Sequence, residues 1–334
     1  MKIFNPEHHS LRKAFCFALV LVLVLEALSW LSVSLDRDRN PILNHSTTCF
    51  FDEPKNTIDV LAIGTSDVYS SVAPLNWWNR YGYTGYSWGQ PSQRIFETYA
   101  YLNKIYKTQR PSVVFLEVGS LYRDSTNVQV LDSIVRTSLE QFFPLIAYHR
   151  NFNPVKFLNL GASRRSVTKG YLLRGDTVPC TGRQDYSRRY KKPAPINSLC
   201  AKELVRCVNL CRAQGSKVVL LSIPDRSSWS MGRHRAIQKL ARQCHAPYLD
   251  LNTAMRREIN WNTDSADGGM HMNYRGAEKV SAYLGNYLHT HYILPDHRAD
   301  TAYAVWNNDY REYSRALRNP QRFRKNRVQK MMTA

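Results

Sequence analysis

Acidic residues are scarce in this sequence. Its 334 residues hold 46 Lys and Arg against 26 Asp and Glu, which gives a formal net charge of +20. Such a positive field attracts acidic polymers, anionic lipid headgroups or phosphate-rich walls. Nucleic acid is a common partner of basic proteins, but no recognisable nucleic-acid-binding motif accompanies the charge. We therefore expect an anionic surface or polymer as partner, and no nucleic acid.

The sequence also lacks Cys-x-x-Cys pairs. Cys207 and Cys211 lie one helical turn apart, and no histidine stands next to either. A structural zinc site needs closely spaced cysteine and histidine ligands. We therefore predict no metal site and no cofactor.

A long apolar run occupies residues 14–35, AFCFALVLVLVLEALSWLSVSL. A helix of about 20 apolar residues crosses a bilayer core. Lys2, Arg12 and Lys13 precede it with only Glu7 against them, which favours a cytoplasmic amino terminus. The run predicts a single-pass signal anchor in the cell membrane, with the catalytic domain extracytoplasmic. The alternative is a cleaved signal peptide, since residues 27–29 have the small-x-small form of a cleavage site.

The cysteines fit export. Cys16 lies in the apolar run, and the other six form an even set, in which disulfides are permitted outside the cytoplasm. We expect at least one bridge; the alternative is a set of unpaired, buried thiols. The six are Cys49, Cys180, Cys200, Cys207, Cys211 and Cys244.

Short apolar, β-branched stretches alternate with helical patterns in the exported part. This alternation predicts an α/β fold with a doubly wound parallel sheet. The predicted strands are 58–63, 112–118, 217–222 and 248–250, and the predicted helices are 93–106, 196–214, 233–243 and 276–288.

The chain divides into five predicted regions. The stretch 124–195 lacks the alternation and is predicted as an insertion or lid over the cleft. Residues 296–334 are predicted as a basic tail, either surface-binding or solvated. The regions are a cytoplasmic amino terminus (1–13), the anchor (14–35), a linker (36–56), the α/β domain (57–295) and the tail (296–334).

Two distant segments carry the residue types of one acyl-transfer site. Gly64-Thr65-Ser66-Asp67 ends an apolar strand, and Asp267-Gly-Gly-Met-His271-Met-Asn273 precedes a late helix. A serine hydroxyl needs a histidine to take its proton and usually a carboxylate to orient that imidazole. In a doubly wound sheet the site forms outside the carboxyl ends of the strands. We therefore expect the two segments to meet there.

These segments, together with Gly89 in Tyr86-Ser-Trp-Gly89-Gln-Pro-Ser-Gln93 and with Gly276 after the histidine, resemble the SGNH/GDSL hydrolase superfamily. Within it the chain is most similar to the membrane-anchored branch that contains DltD-like and alginate O-acetylation proteins. The resemblance covers roughly residues 57–290. It implies a flavodoxin-like three-layer sandwich.

The resemblance also implies roles for individual residues. Ser66 corresponds to the nucleophile and His271 to the general base, while the backbone amides of Ser66 and Gly89 correspond to oxyanion-hole donors. The family commonly places its aspartate three residues before the histidine, where this chain has Gly268; the nearest carboxylate is Asp267, with Asp264 behind it. The family's Gly-x-Asn-Asp block is missing, because the matching strand ends Leu116-Glu-Val-Gly-Ser120.

Further polar residues are candidates for the cleft. Asp67 could instead cap the helix after Ser66, and Glu117 could line the cleft or satisfy a buried group. His149 could reach the site from the insertion or serve the structure. The candidates are Asp67, Gln93, Glu117, His149 and Asn273.

The favoured hypothesis is a serine esterase or O-acyltransferase with a Ser-His-Asp triad, acting on O-acyl groups of a cell-surface polysaccharide or anionic wall polymer. A membrane-bound acyltransferase is a candidate partner. The competing hypothesis is a non-catalytic SGNH-like protein that binds the polymer during its modification. Fold membership alone does not separate the two.

Overall fold

A parallel sheet forms the centre of the molecule. The computed structural model describes residues 6–35, 47, 49–142, 166–180 and 193–319, with side chains of the first helix described over 10–29. The sheet has five strands in the order β2-β1-β3-β4-β5, and all neighbours are parallel. The strands are β1 (Val60–Gly64), β2 (Gly85–Gly89), β3 (Val113–Glu117), β4 (Lys217–Ser222) and β5 (Tyr248–Asp250).

Helices cover both faces of the sheet, because right-handed crossovers that run in opposite directions from β1 place their helices on opposite sides. Helix α4 packs on α6, while α3 packs on α9 and α10. The helices are α1 (Pro6–Leu35), α2 (Ser66–Ser71), α3 (Pro74–Tyr81), α4 (Ile95–Ile105), α5 (Asn127–Phe142), α6 (Ser198–Ala213), α7 (Met231–Gln243), α8 (Leu251–Ala254), α9 (Tyr274–His291) and α10 (Ala304–Arg318).

The predicted α/β fold with a parallel sheet is confirmed, and the strand order is the flavodoxin-like one. Strands β1, β2 and β3 are buried along their whole lengths. From β1 the chain runs to β2 on one side of the sheet centre, and the later strands β3, β4 and β5 are added on the other side. At such a reversal the connections diverge, which opens a crevice at the carboxyl ends of β1 and β3. Ser66 follows β1 at this crevice.

The predicted membrane-spanning helix is not confirmed. The structure has a helix there, Pro6–Leu35. Over residues 10–29, however, Arg12, Lys13 and Glu26 interrupt its apolar side chains. Within the described part of the chain, no helix combines the length and the apolar character needed to cross a bilayer.

The expected disulfide is also not found. All seven cysteines of the chain fall within the described residues, and no disulfide bond joins any two of them. Cys200, Cys207 and Cys211 lie on α6 and are completely buried against the core. Three thiols on one helix face pack there as small apolar groups.

Part of the region predicted as a basic tail, either surface-binding or solvated, forms a packed helix. Helix α10 buries Trp306, Asp309 and Tyr313 and packs on α3. Residues 320–334, which carry the last arginines and lysines of the tail, lie outside the described residues.

The predicted insertion is described in three pieces. Residues 127–142 form α5, which packs on α4, and residues 166–180 run beside the carboxyl edge of the sheet. Residues 193–195 lead into α6. The intervening ranges 143–165 and 181–192 lie outside the described residues, so the prediction for His149 stays open.

Candidate active site

Ser66 begins a helix immediately after β1. Thr65 is the N-cap of α2, and its hydroxyl accepts a hydrogen bond from the Asp67 amide. A threonine at this position satisfies one of the free amides of the first turn. The sharp change from strand to helix places the Ser66 side chain at the crevice, partly exposed. The alternative in which Asp67 caps this helix is therefore not observed: the cap is Thr65, and Asp67 occupies the first turn.

His271 lies in a tight hairpin that precedes α9. Ser265 and Met272 form an antiparallel bridge, and the Ala266 amide donates to the His271 carbonyl at 2.9 Å. Asn273 closes the hairpin: its side chain caps α9 by accepting from the Arg275 and Gly276 amides. Asn273 is completely buried. It is thus a structural residue beneath the site, and it does not line the cleft as predicted.

The two segments meet through a continuous set of hydrogen bonds. Ser66 Oγ lies 2.8 Å from His271 Nε2. On the other side of the ring, His271 Nδ1 lies 2.5 Å from Asp267 Oδ2. The His271 amide donates to Asp267 Oδ1 at 2.8 Å, so both carboxylate oxygens hold this histidine. A carboxylate bound to Nδ1 leaves Nε2 as the acceptor that faces the serine hydroxyl.

Asp267 lies four residues before His271, and its carboxylate reaches the imidazole because the backbone between the two residues folds back sharply. Gly268 and Gly269 have φ angles of +83° and +114°, which side chains rarely permit. They fold the loop back, so that Asp267 faces Nδ1. Asp264, the alternative carboxylate, is buried and accepts hydrogen bonds from the Asn260 amide and from Lys279 Nζ at 2.8 and 2.6 Å.

Two carboxyl groups flank the imidazole, and their pKa values are shifted in opposite directions. Burial raises the pKa of Asp267, but hydrogen bonds from His271 and Arg174 outweigh it, and the pKa lies below its usual value. Asp67 Oδ1 lies 3.9 Å from His271 Nε2. Burial, with the charges of Glu117 and Asp225, raises the pKa of Asp67 well above its usual value. Divergent carboxyl groups of this kind are typical of acid-base sites.

Gly89 lies at the end of β2, opposite Gly64 at the end of β1. A Cβ atom at Gly89 would come within 2.7 Å of the Thr65 carbonyl oxygen and 3.0 Å of a ring carbon of Tyr69. The backbone of β2 can approach the Ser66 turn this closely only because position 89 has no side chain.

Glu117 supports the serine turn from beneath. Its carboxylate accepts hydrogen bonds from the Thr65 amide at 3.1 Å and from the Gly119 amide. The residue is buried, and that burial raises the pKa of its carboxyl group. Of the two roles considered for Glu117, the structure gives the second: it satisfies buried backbone groups.

The candidate Gln93 and the large aromatic residues near the motifs belong to the core. Gln93 is fully buried, and its Nε2 donates to the Thr98 hydroxyl at 2.8 Å. The large aromatic residues near the motifs are buried as well: Trp77, Trp78, Tyr83, Tyr86 and Trp88.

Two residues near Ser66 were not predicted. Tyr69 lies one turn along α2, and its ring packs at Gly89. Arg174 comes from the insertion, and its guanidinium donates to Asp267 Oδ2 at 3.1 Å. Nothing in the sequence separates Arg174 from the other arginines of the insertion, because only the folded chain brings it to the histidine hairpin.

Among the described residues, no group of three or more His, Cys, Asp or Glu side chains is arranged to hold a metal ion. The described crevice presents the serine hydroxyl, the imidazole and two carboxyl groups.

Comparison with known proteins gives only remote likenesses. No family model and no curated protein matches the chain. A proposed acylhydrolase from Bacteroides fragilis is 14% identical, with 72% of this chain and 94% of that chain covered and a TM-score of 0.38. A proposed platelet activating factor from Streptococcus pneumoniae is 13% identical, with 78% and 98% covered and a TM-score of 0.42. We draw neither a family nor a reaction from these likenesses.

Proposed function

We propose that this protein is a serine esterase or O-acyltransferase of the SGNH type. The supporting observation is the hydrogen-bonded set in which Ser66 contacts His271 Nε2 and Asp267 contacts Nδ1. His271 takes the proton of Ser66 as Oγ attacks an ester carbonyl. The bond to the alcohol oxygen then breaks, and His271 returns the proton to that oxygen. Water or a second hydroxyl group releases the acyl group from Ser66 by the same steps.

Stabilisation of the oxyanion is assigned in this proposal to the backbone amides of Ser66 and Gly89. Each such donor contributes about 3 to 4 kcal/mol to the transition state. The close approach of β2 to the serine turn supports this assignment. The proposed substrates are O-acyl groups on a cell-surface polysaccharide or anionic wall polymer, for which the net charge of +20 is suited.

Active-site labelling tests the proposal. The purified full chain is treated with a fluorophosphonate probe and assayed with an aryl acetate. We expect labelling and turnover in the parent and in Ser70→Ala, and neither in Ser66→Ala. Ser70 is a matched control because it lies on the same helix, with a buried hydroxyl group outside the site. If the folded parent is not labelled, the proposed serine-enzyme activity is refuted.

One observation favours the competing function, a non-catalytic polymer-binding protein. Glu117 lies in the strand end that matches the family's Gly-x-Asn-Asp block, and its carboxylate is occupied by the Thr65 and Gly119 amides. An unlabelled parent that still retains an anionic polysaccharide on a column would support this alternative.

We also propose that the protein is attached to the cell membrane, with the α/β domain on the extracytoplasmic side. Helix α1 supports this location because many of its large apolar side chains are exposed, among them Phe15, Phe17 and Leu23. Such a surface is costly in water unless it is covered. Alkaline carbonate extraction of membranes tests the attachment: release of the full chain into the supernatant would contradict it. Protease added to intact cells tests the orientation.

A further inference from the structure

One described segment of the insertion contacts both halves of the candidate site. Residues 166–180, called the bridging segment below, pair with the serine side where the Leu172 amide donates to the Tyr69 carbonyl at 2.7 Å. They pair with the histidine side where the Val178 amide donates to the Ser265 carbonyl at 3.1 Å and the Gly268 amide donates to the Val178 carbonyl at 3.2 Å. The bridging segment therefore fixes the spacing between α2 and the histidine hairpin.

Arg174 lies at the centre of this segment and is held at both ends. Its carbonyl accepts from the Tyr274 amide at 2.9 Å, which fixes the backbone at the start of α9. Its guanidinium donates to Asp267 Oδ2 at 3.1 Å. The same oxygen is the one that contacts His271 Nδ1. Side-chain exposures of 30% for Arg174 and 32% for Asp267 leave this pair accessible to small solutes.

Asp267 needs this support more than an aspartate in a rigid turn would. It is joined to His271 through two glycines with positive φ, and such residues give the backbone additional freedom. The His271 amide fixes one carboxylate oxygen, and Arg174 fixes the other. A charge-assisted hydrogen bond of this kind is stronger than a neutral one.

We infer that Arg174 is a positioning residue for Asp267. Through this contact the bridging segment, which belongs to the insertion, contributes to the activity. This inference rests on the proposed serine mechanism. Arg174 acts through the carboxylate, so its loss lowers the rate of the chemical step and leaves substrate binding unchanged. Displacement of a catalytic group by about 1 Å costs about a hundredfold in rate.

Chemical rescue tests the inference on the full chain. We expect Arg174→Ala to lower kcat on an aryl acetate by about tenfold to a hundredfold with little change in KM. Added guanidinium ion at millimolar concentration, well below denaturing levels, restores part of kcat because the vacated site is accessible. Arg174→Lys retains a charge without the fork of donors and gives an intermediate kcat.

Arg136→Ala is the matched control. Arg136 forms one arginine-carboxylate pair, with Glu140 at 3.0 Å, and its side chain is 37% exposed. It lies on α5, away from the hairpin, so kcat stays at the parental value and does not respond to guanidinium. Thermal unfolding of every variant shows whether a loss of activity reflects a loss of folded protein.

Two results would overturn the inference: a parental kcat in Arg174→Ala, or a loss of kcat that guanidinium does not restore. The downfield proton resonance of the His271 Nδ1 to Asp267 hydrogen bond provides a readout that needs no turnover. It shifts or disappears in Arg174→Ala if Arg174 positions Asp267, and an unchanged resonance overturns the inference. A parent that is not labelled by fluorophosphonate refutes the proposed function separately.

Discussion

At the scale of single residues, the candidate site depends on which carboxylate serves His271. Asp267 contacts the imidazole directly, whereas Asp264 is engaged by the Asn260 amide and by Lys279 of α9. Both aspartates were candidates from the sequence. The glycine pair after Asp267 determines which of them faces His271. Its effect on the loop becomes evident only from the positive φ angles.

The first prediction compares the two carboxylates. Asp267→Asn lowers kcat by up to about 10⁴, the loss found when the corresponding triad residue is changed in a serine protease. Asp264→Asn leaves kcat of the folded protein near the parental value and lowers stability, because a buried acceptor is replaced at the Lys279 contact. Steady-state kinetics and urea unfolding of both variants measure these effects. Equal losses of kcat would contradict the assignment of Asp267.

The second prediction concerns Glu117 and pH. Burial raises the pKa of Glu117 above its value in the unfolded chain. The folded protein then binds the proton more tightly than the unfolded chain, so stability falls as pH rises from about 4.3 through the folded pKa. Glu117→Gln removes this part of the fall. It also reduces the contribution of Asp67, whose pKa is raised first by burial and then by the charge of Glu117.

The same variant loses stability at all pH values. A glutamine amide has one acceptor oxygen, so the Thr65 and Gly119 amides cannot both be satisfied, at a cost of about 1 to 3 kcal/mol. Urea unfolding at several pH values measures both effects. An unchanged pH slope would show that Glu117 is ionised with a normal pKa in the folded protein.

At the scale of secondary structure, the elements that were predicted are those with a strong local pattern. β3 and β4 are continuous apolar runs, which identify buried parallel strands. β2 has the sequence GYSWG, with a glycine at each end and a serine in the middle, and no apolar run marks it as a strand. Its pairing with β1 supplies the missing stabilisation. Contacts between distant segments of this kind are not encoded in any local window.

The bridging segment was predicted only as part of an insertion or lid. Its anchoring depends on Lys169, which is completely buried, a rare location for a lysine. Lys169 Nζ lies 2.6 Å from Glu53 Oε1, 3.2 Å from Asp309 Oδ2 and 4.3 Å from the centre of the Trp306 ring. The ion pairs join the insertion to the segment that precedes β1 and to α10.

The third prediction tests this anchor. Lys169→Met leaves two buried carboxylates without their shared cation, and we expect a loss of about 3 to 5 kcal/mol in the free energy of unfolding. Arg136→Met, which breaks an ion pair near the surface, costs at most about 1 kcal/mol. Adding Asp309→Asn to Lys169→Met restores part of the loss, because one of the two buried carboxylates becomes a neutral amide. A loss in Lys169→Met no larger than in Arg136→Met would contradict the anchoring role.

At the scale of the whole molecule, the excess of basic residues bears on the proposed polymer substrate. A net charge of +20 produces a long-range field that raises the encounter rate with an anionic polymer by about tenfold or more at low ionic strength. Salt screens this field, and the screening length is about 10 Å at 0.1 M. The hydrogen bonds among Ser66, His271 and Asp267 act over much shorter distances and are affected far less.

The fourth prediction follows from this difference in range. For an O-acylated anionic polysaccharide, kcat/KM falls by about tenfold as salt rises from about 0.05 to about 0.5 M, because steering is lost. For a neutral aryl acetate, kcat/KM stays nearly constant over the same range. A neutral O-acylated polysaccharide of similar length serves as the matched control, since it shares the chain and the ester but not the charge. If the neutral and anionic polymers showed the same salt dependence, the basic surface would have no part in substrate capture, and the substrate would have to be sought among uncharged esters.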